Sequence, residues 1–154
     1  MAFIDLIQIV VISLVAGFIG TVIMTLSQIT EMKIRNRKAS FTPAIGVSKM
    51  FGIDFKKLSQ INKVRLNNAV HWGYGTIWGL FMVIFYLTGL NNLVYMVLSY
   101  YVIMWGHGLI LLPALKVASP PWKWKKSDLL LDAFHHFILA IVTVLAYVYI
   151  VSLL

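Results

Sequence analysis

Four long apolar runs, at residues 6–29, 69–88, 93–112 and 129–154, constrain this chain more than anything else in it. Each has the length of about 20 residues that an α-helix needs to cross the hydrocarbon core of a bilayer. Membrane β-strands would be about ten residues long with strict alternation, and no such pattern is present. Composition agrees. A soluble domain of 154 residues could not hide a chain that is 60% hydrophobic and only 12% charged, because a small domain exposes too much surface. The expected fold is therefore all-α: a single transmembrane domain over residues 1–154, built as an integral four-helix bundle with the lipid bilayer as its solvent.

The first run is expected to stay as an anchor rather than be cleaved. No basic residue precedes it, it is too long for a signal-peptide core, and no small-residue cleavage motif follows. With no cysteine, disulfides and thiolate metal sites are excluded.

Topology follows from the thirteen basic residues. Lys33, Arg35, Arg37, Lys38, Lys49, Lys56, Lys57, Lys63 and Arg65 lie between the first and second runs, and Lys116, Lys123, Lys125 and Lys126 between the third and fourth. Short basic loops stay in the cytoplasm, so both basic loops are expected inside and both termini outside. Nucleic acid is excluded as a partner on the same ground. These charges orient the chain and meet anionic lipid headgroups at the cytoplasmic face, each worth on the order of 1 kcal/mol.

The first basic loop, residues 30–68, contains "SFTPAIGVSKMFGIDFKKLSQ". Thr42 reads as an N-cap with Pro43 at the first helical position. Ile45, Met50, Phe51, Phe55 and Leu58 among lysines suggest short interfacial helices, or equally an ordered loop packed under the bundle. The "GLNN" turn makes spans two and three an antiparallel hairpin. Small residues recur at four-residue spacing: Ser13, Gly17, Thr21 and Thr25 on the first span, Gly75 and Gly79 on the second. Such faces let backbones approach closely, so Gly17, Thr21, Gly75 and Gly79 are the expected packing positions. Trp72, Tyr95, Trp105, Trp122 and Trp124 read as interfacial anchors.

The chemistry-bearing residues gather at one end. His71 is expected as the third residue of span two, and His107 roughly 9 Å inside a span that ends at Pro113. The fourth run is about 39 Å of helix against a core of about 30 Å, which puts Asp128 and Asp132 near the cytoplasmic interface, with His135 and His136 at its inner boundary. Glu31 closes the first span. Asp128, Asp132 and His135 share one helix face, with His136 at its edge.

The expectation is thus a polar ring of Glu31, His71, His107, Asp128, Asp132, His135 and His136 at one membrane level. Three readings follow: a hydrogen-bonded structural ring, a proton or small-solute path, or a metal site drawing on Glu31, His71, His107, Asp132 and His136. The usual di-metal bundle needs paired Glu-x-x-His motifs, and this chain has one Asp-x-x-His, Asp132 with His135. No cofactor is the leading expectation, a single metal ion the alternative. No Ser-His-Asp order, phosphate loop or dinucleotide fingerprint is present.

The third and fourth spans read "HGLILLPALKVASPPWKWKKSDLLLDAFHH". This resembles the small bacterial inner-membrane proteins of the YagU type: a histidine, a proline shortly after, a Pro-Pro pair, an acidic residue and a histidine opening the last span. The histidine of "HWGYGTIWG" fits more loosely, and a long soluble insertion typical of that family is absent. About half the chain is covered. The resemblance implies a four-helix protein of a prokaryotic inner membrane, carries over no catalytic residue, and groups His107, Pro113, Pro120, Pro121, Asp132 and His136. The favoured function is a non-catalytic accessory or structural subunit, associating with other membrane subunits or itself. A conduit ranks second, and a metal-binding protein or metalloenzyme third.

Overall fold

A computed structural model describes residues 5–154, and within them the chain is all-helical, with no strand. The helices are α1 (Leu6–Ile34), α2 (Thr42–Met50), α3 (Gln60–Trp78), α4 (Phe81–Thr88), α5 (Leu93–Ala114) and α6 (Lys126–Ser152), with 3₁₀ turns at Phe55–Lys57 and Pro121–Lys123. Taking α3 and α4 as one rod, Gln60–Thr88, four units are long and apolar enough to cross a membrane. Residues 1–4 of the N-terminal tip, expected on the outer side, lie outside the described residues.

Helix ends follow local chemistry. Asp5 and Gln8 form a capping box at the start of α1: the Gln8 N–H donates to Asp5 Oδ1 at 2.7 Å, and the Asp5 N–H to Gln8 Oε1 at 3.1 Å. Four helices end on a residue with positive φ, namely Asn36, Gly52, Gly89 and Lys116. At the end of α1 the Arg37 N–H reaches the Met32 carbonyl at 2.9 Å, and at the end of α5 the Val117 N–H reaches that of Leu112 at 2.9 Å. This is the Schellman closure, which satisfies carbonyls the helix would otherwise orphan.

Helix α1 is the hub. It packs against α6 on one side and α3–α4 on the other, while α5 packs on α6. Thr25 meets His71, Thr21 meets Gly75 and Gly17 meets Gly79, so α1 and α3 run antiparallel. Their approach is backbone on backbone. A Cβ built on Gly17 would lie 2.6 Å from the Thr76 carbonyl oxygen, and one on Gly79 would collide with the Ser13 carbonyl. Gly75 leaves room for the Thr21 side chain in the same way. Gly20, which the four-residue spacing did not single out, does this for α6: a Cβ there would overlap Thr143 Oγ1. Between α3–α4 and α5, large rings fill the gap instead, with Trp78 and Phe81 against Tyr100 at centroid distances of 6.4 and 5.8 Å.

Several boundaries differ from the sequence reading. Span two begins at Gln60 rather than residue 69, so the connection after α1 is shorter than 30–68 and His71 lies well inside a helix instead of third in one. Hydropathy senses lipid-compatible length, whereas the polar stretch "QINKVRLNN" is held helical by a Ser59 cap and by α2 packed against it. Asn67 on this stretch accepts the Ala44 N–H at 3.3 Å and donates to the Ser40 carbonyl at 3.2 Å. Thr42 opens α2 itself rather than capping it. The cap position is Phe41, and the Ser40 hydroxyl accepts the Thr42 N–H at 3.1 Å. Helix α5 runs through Pro113 to Ala114, so that proline does not end it. Lys49 Nζ then caps α5 by donating to the Leu115 and Lys116 carbonyls at 3.0 and 2.6 Å.

The α3–α4 junction is a local tightening. Gly79, Leu80, Met82 and Val83 N–H groups bond three residues back, as in a 3₁₀ turn. It falls where Gly79 is pressed against Ser13 and Gly17, a constraint invisible to hydropathy.

Candidate functional site

From the basic-loop end inward, the first polar contacts are ionic. Glu31, 9% exposed, accepts from Arg37 Nη2 at 2.7 Å and Nε at 3.3 Å, and from Arg35 Nη1 at 3.4 Å. Arg35 Nη2 also reaches Asp128 Oδ1 at 3.2 Å, tying α1 to α6. Arg37 can fold back because Asn36 takes the left-handed conformation, which asparagine tolerates better than most residues. Hydrogen bonding to Glu31 holds the Arg37 guanidinium above its usual range. The sequence reading used both arginines only as topological charges and missed this pairing.

Deeper in, each histidine or carboxylate finds a partner on a neighbouring helix or on its own. His71 Nε2 lies 2.9 Å from Thr25 Oγ1, whose hydroxyl donates to the Thr21 carbonyl at 2.6 Å. A hydroxyl has one proton to give, so His71 must be the donor and carries its proton on Nε2. His135 Nδ1 lies 3.1 Å from Ser27 Oγ. The Trp105 indole donates to Asp132 Oδ2 at 2.8 Å. His136 Nδ1 donates to the Asp132 carbonyl at 2.7 Å, and His107 Nδ1 meets the Tyr74 hydroxyl at 2.9 Å.

These contacts form a circuit. Thr25–His71 joins α1 to α3, Tyr74–His107 joins α3 to α5, Trp105–Asp132 joins α5 to α6, and Ser27–His135 with Arg35–Asp128 joins α6 to α1. Every neighbouring pair of spans thus holds at least one polar tie. The residues do not lie at one level. Their partners on α1 run from Thr25 to Arg35, about 15 Å of helix axis.

Nor do they converge. Among the described residues no group of three or more His, Asp or Glu side chains is placed to hold a metal ion, so Glu31, His71, His107, Asp132 and His136 are separate contacts instead of one ligand set. The physical reason is helical phase: Asp132 points to α5 while His135, three residues on, points to α1. Two cavities of about 410 and 400 Å³ open on the bundle, one near Gly89 and Tyr147, the other beside Trp78, and neither has a histidine or carboxylate in its wall.

The buried groups Ser13 Oγ, Tyr100 Oη, Thr143 Oγ1 and His135 Nε2 have no hydrogen-bond partner among the described residues. No protein-family model matches the chain, and neither does any curated protein or solved structure.

Proposed function

We propose that the chain is a non-catalytic multi-pass membrane protein, an accessory or structural subunit of a larger membrane assembly. The observation that supports this best is the circuit of polar ties. Titratable groups inside a bilayer usually mark a pathway or a reaction centre. Here His71, His107, Asp128, Asp132 and His135 are used in fixing one helix against the next, Glu31 and His136 bond within their own segments, and neither cavity has a histidine or carboxylate in its wall. The orientation belongs to the same reading: basic loops on the cytoplasmic side against anionic headgroups, both termini outside. So does the YagU-type kinship, on which nothing in this function depends.

A proton or small-solute conduit is the second reading, favoured by the unpartnered Ser13, Tyr100, Thr143 and His135 groups. Distance weighs against it. His135 and Thr143 are eight residues apart on α6, about 12 Å, so a proton would need intervening water between them. A metalloprotein ranks third, because its candidate ligands make separate contacts and no three of them gather among the described residues.

The test is purification in mild detergent, with mass spectrometry of co-purifying chains, metal analysis, and flux in liposomes. A stoichiometric membrane partner is the expected result. A solitary chain that carries protons, or one holding stoichiometric metal, would overturn the proposal.

A further inference from the structure

Helix α2 crosses the basic-loop end of the bundle from α3 towards α5. Its small face is buried, at Ala44, Gly46 and Ser48. The Ala44 N–H donates to Asn67 of α3, and a Cβ on Gly46 would lie 4.0 Å from the Leu112 side chain of α5. Lys49 Nζ bonds the Leu115 and Lys116 carbonyls. Directly beyond Lys49 the chain reverses. The Phe51 N–H closes on the Val47 carbonyl at 3.1 Å, Gly52 takes φ 67°, and the Ile53 N–H reaches back to the Ser48 carbonyl at 2.8 Å. Phe55 then returns to Phe41, at the start of α2, with ring centroids 5.9 Å apart. Met50 to Ile53 form the apex of this finger, and its three side chains are all exposed: Met50 56%, Phe51 73% and Ile53 42%.

We propose that this apex inserts into the lipid interface at the basic-loop end, with Phe51 and Ile53 sunk below the headgroups. The reason is the level of α5. A helix of 22 residues is about 33 Å long against a hydrocarbon core of about 30 Å, so α5 has almost no length to spare. The Leu115 and Lys116 carbonyls that follow it therefore fall at the boundary. Lys49 is bonded to those carbonyls, which fixes the next two residues, Met50 and Phe51, at the same level. An exposed apolar apex at that depth meets headgroups and upper acyl chains, into which the apolar side of an interfacial segment sinks by about 5–10 Å. The charges are placed to match. Lys56 and Lys57 follow in the 3₁₀ turn, and Lys63 Nζ meets the Lys56 carbonyl at 3.3 Å. Lys63 lies one turn of α3, about 6 Å, further from the membrane than Asn67, so this charge is on the aqueous side of the apex. Insertion of the apex requires that α5 cross a bilayer, and is independent of the subunit role and of which side is cytoplasmic.

Because the chain has no cysteine, Phe51→Cys, Ile53→Cys, Lys57→Cys and Val102→Cys each offer one thiol for a spin label, in the full chain in phospholipid nanodiscs. Collision with oxygen, which concentrates in lipid, is compared with collision with a water-soluble nickel chelate. Val102, exposed and near the middle of α5, is the lipid reference, and the exposed Lys57 the aqueous one. The oxygen-to-nickel ratio at Phe51 and Ile53 should be several-fold above that at Lys57 and below that at Val102. When Phe51→Ser and Ile53→Ser are combined, a label at Met50 should become several-fold more accessible to nickel, with native melting retained because both positions are exposed. Ratios at the apex equal to that at Lys57, with Val102 still lipid-like, would overturn the proposal and leave the spanning helices standing. Apex labels that neither reagent reaches would overturn it too, since protein such as a second copy would then cover them. A water-like Val102 would remove the membrane reading itself, and the insertion with it.

Discussion

Gly17 and Gly79 touch backbone to backbone where α1 crosses the second span, with the Gly79 Cα and N 2.8 and 2.9 Å from where a Gly17 Cβ would sit. Lipid offers helices no hydrophobic reason to associate, so this close approach is what packing can add in its place. Gly79→Leu and Gly75→Leu should therefore destabilise by about 1–3 kcal/mol or prevent assembly. Gly73→Ala, on the same helix with open space around it, should change the melting temperature little. Equal tolerance of all three in a detergent melt would place the interface elsewhere.

Orientation gives a second expected outcome. Cysteines placed at Ser40 or Ser119 should react with impermeant thiol reagents only from the cytoplasmic side, and one at Asn92 only from outside, because the basic residues lie on the first and third connections between spans and not on the second. Labelling of the Asn92 variant from within would reverse the proposed topology.

His71 separates a structural tie from a metal ligand. His71→Gln keeps an N–H that can donate to Thr25 Oγ1 and should melt close to wild type. His71→Leu leaves that hydroxyl oxygen short of a donor in a partly buried site, at a cost on the order of 1–3 kcal/mol. If both variants are equally damaged, and metal present in wild type is lost from each, histidine is acting as a ligand.

Lys116 holds a left-handed backbone, φ 54°, at the end of α5. Lysine pays a steric penalty there that glycine does not, and the Lys49 contact is to the Lys116 carbonyl, which substitution preserves. Lys116→Gly should raise stability by up to about 1 kcal/mol, while Lys116→Ala should not. Thermal unfolding of the two variants side by side distinguishes relief of strain from mere loss of charge.

Apolar length alone marked the four spanning units and the all-helical class, because a bilayer imposes one requirement on every segment that crosses it. The helix boundaries were less legible. Gln60 to Asn68 is too polar for hydropathy to register, and its helicity rests on Ser59, Asn67 and α2. The tightening at Gly79 depends on what α1 presses against it. For the polar groups, sequence put Glu31, His71, His107 and the α6 quartet near one end of the spans but could not assign partners. Thr25, Ser27, Tyr74 and Trp105 carry no charge, and only the antiparallel register of neighbouring helices brings them within bonding distance.

The circuit of ties also dictates an order of assembly. Helix α6 supplies Asp128, Asp132 and His135, and it leaves the ribosome after α1, α3 and α5 have been synthesised. Until it arrives, Arg35 lacks its cross-helix anion, Trp105 and Ser27 have no acceptor or donor across the bundle, and the face of α1 around Gly20 is uncovered. A nascent chain halted before residue 126 would therefore leave Arg35, Trp105 and Ser27 without their partners on α6.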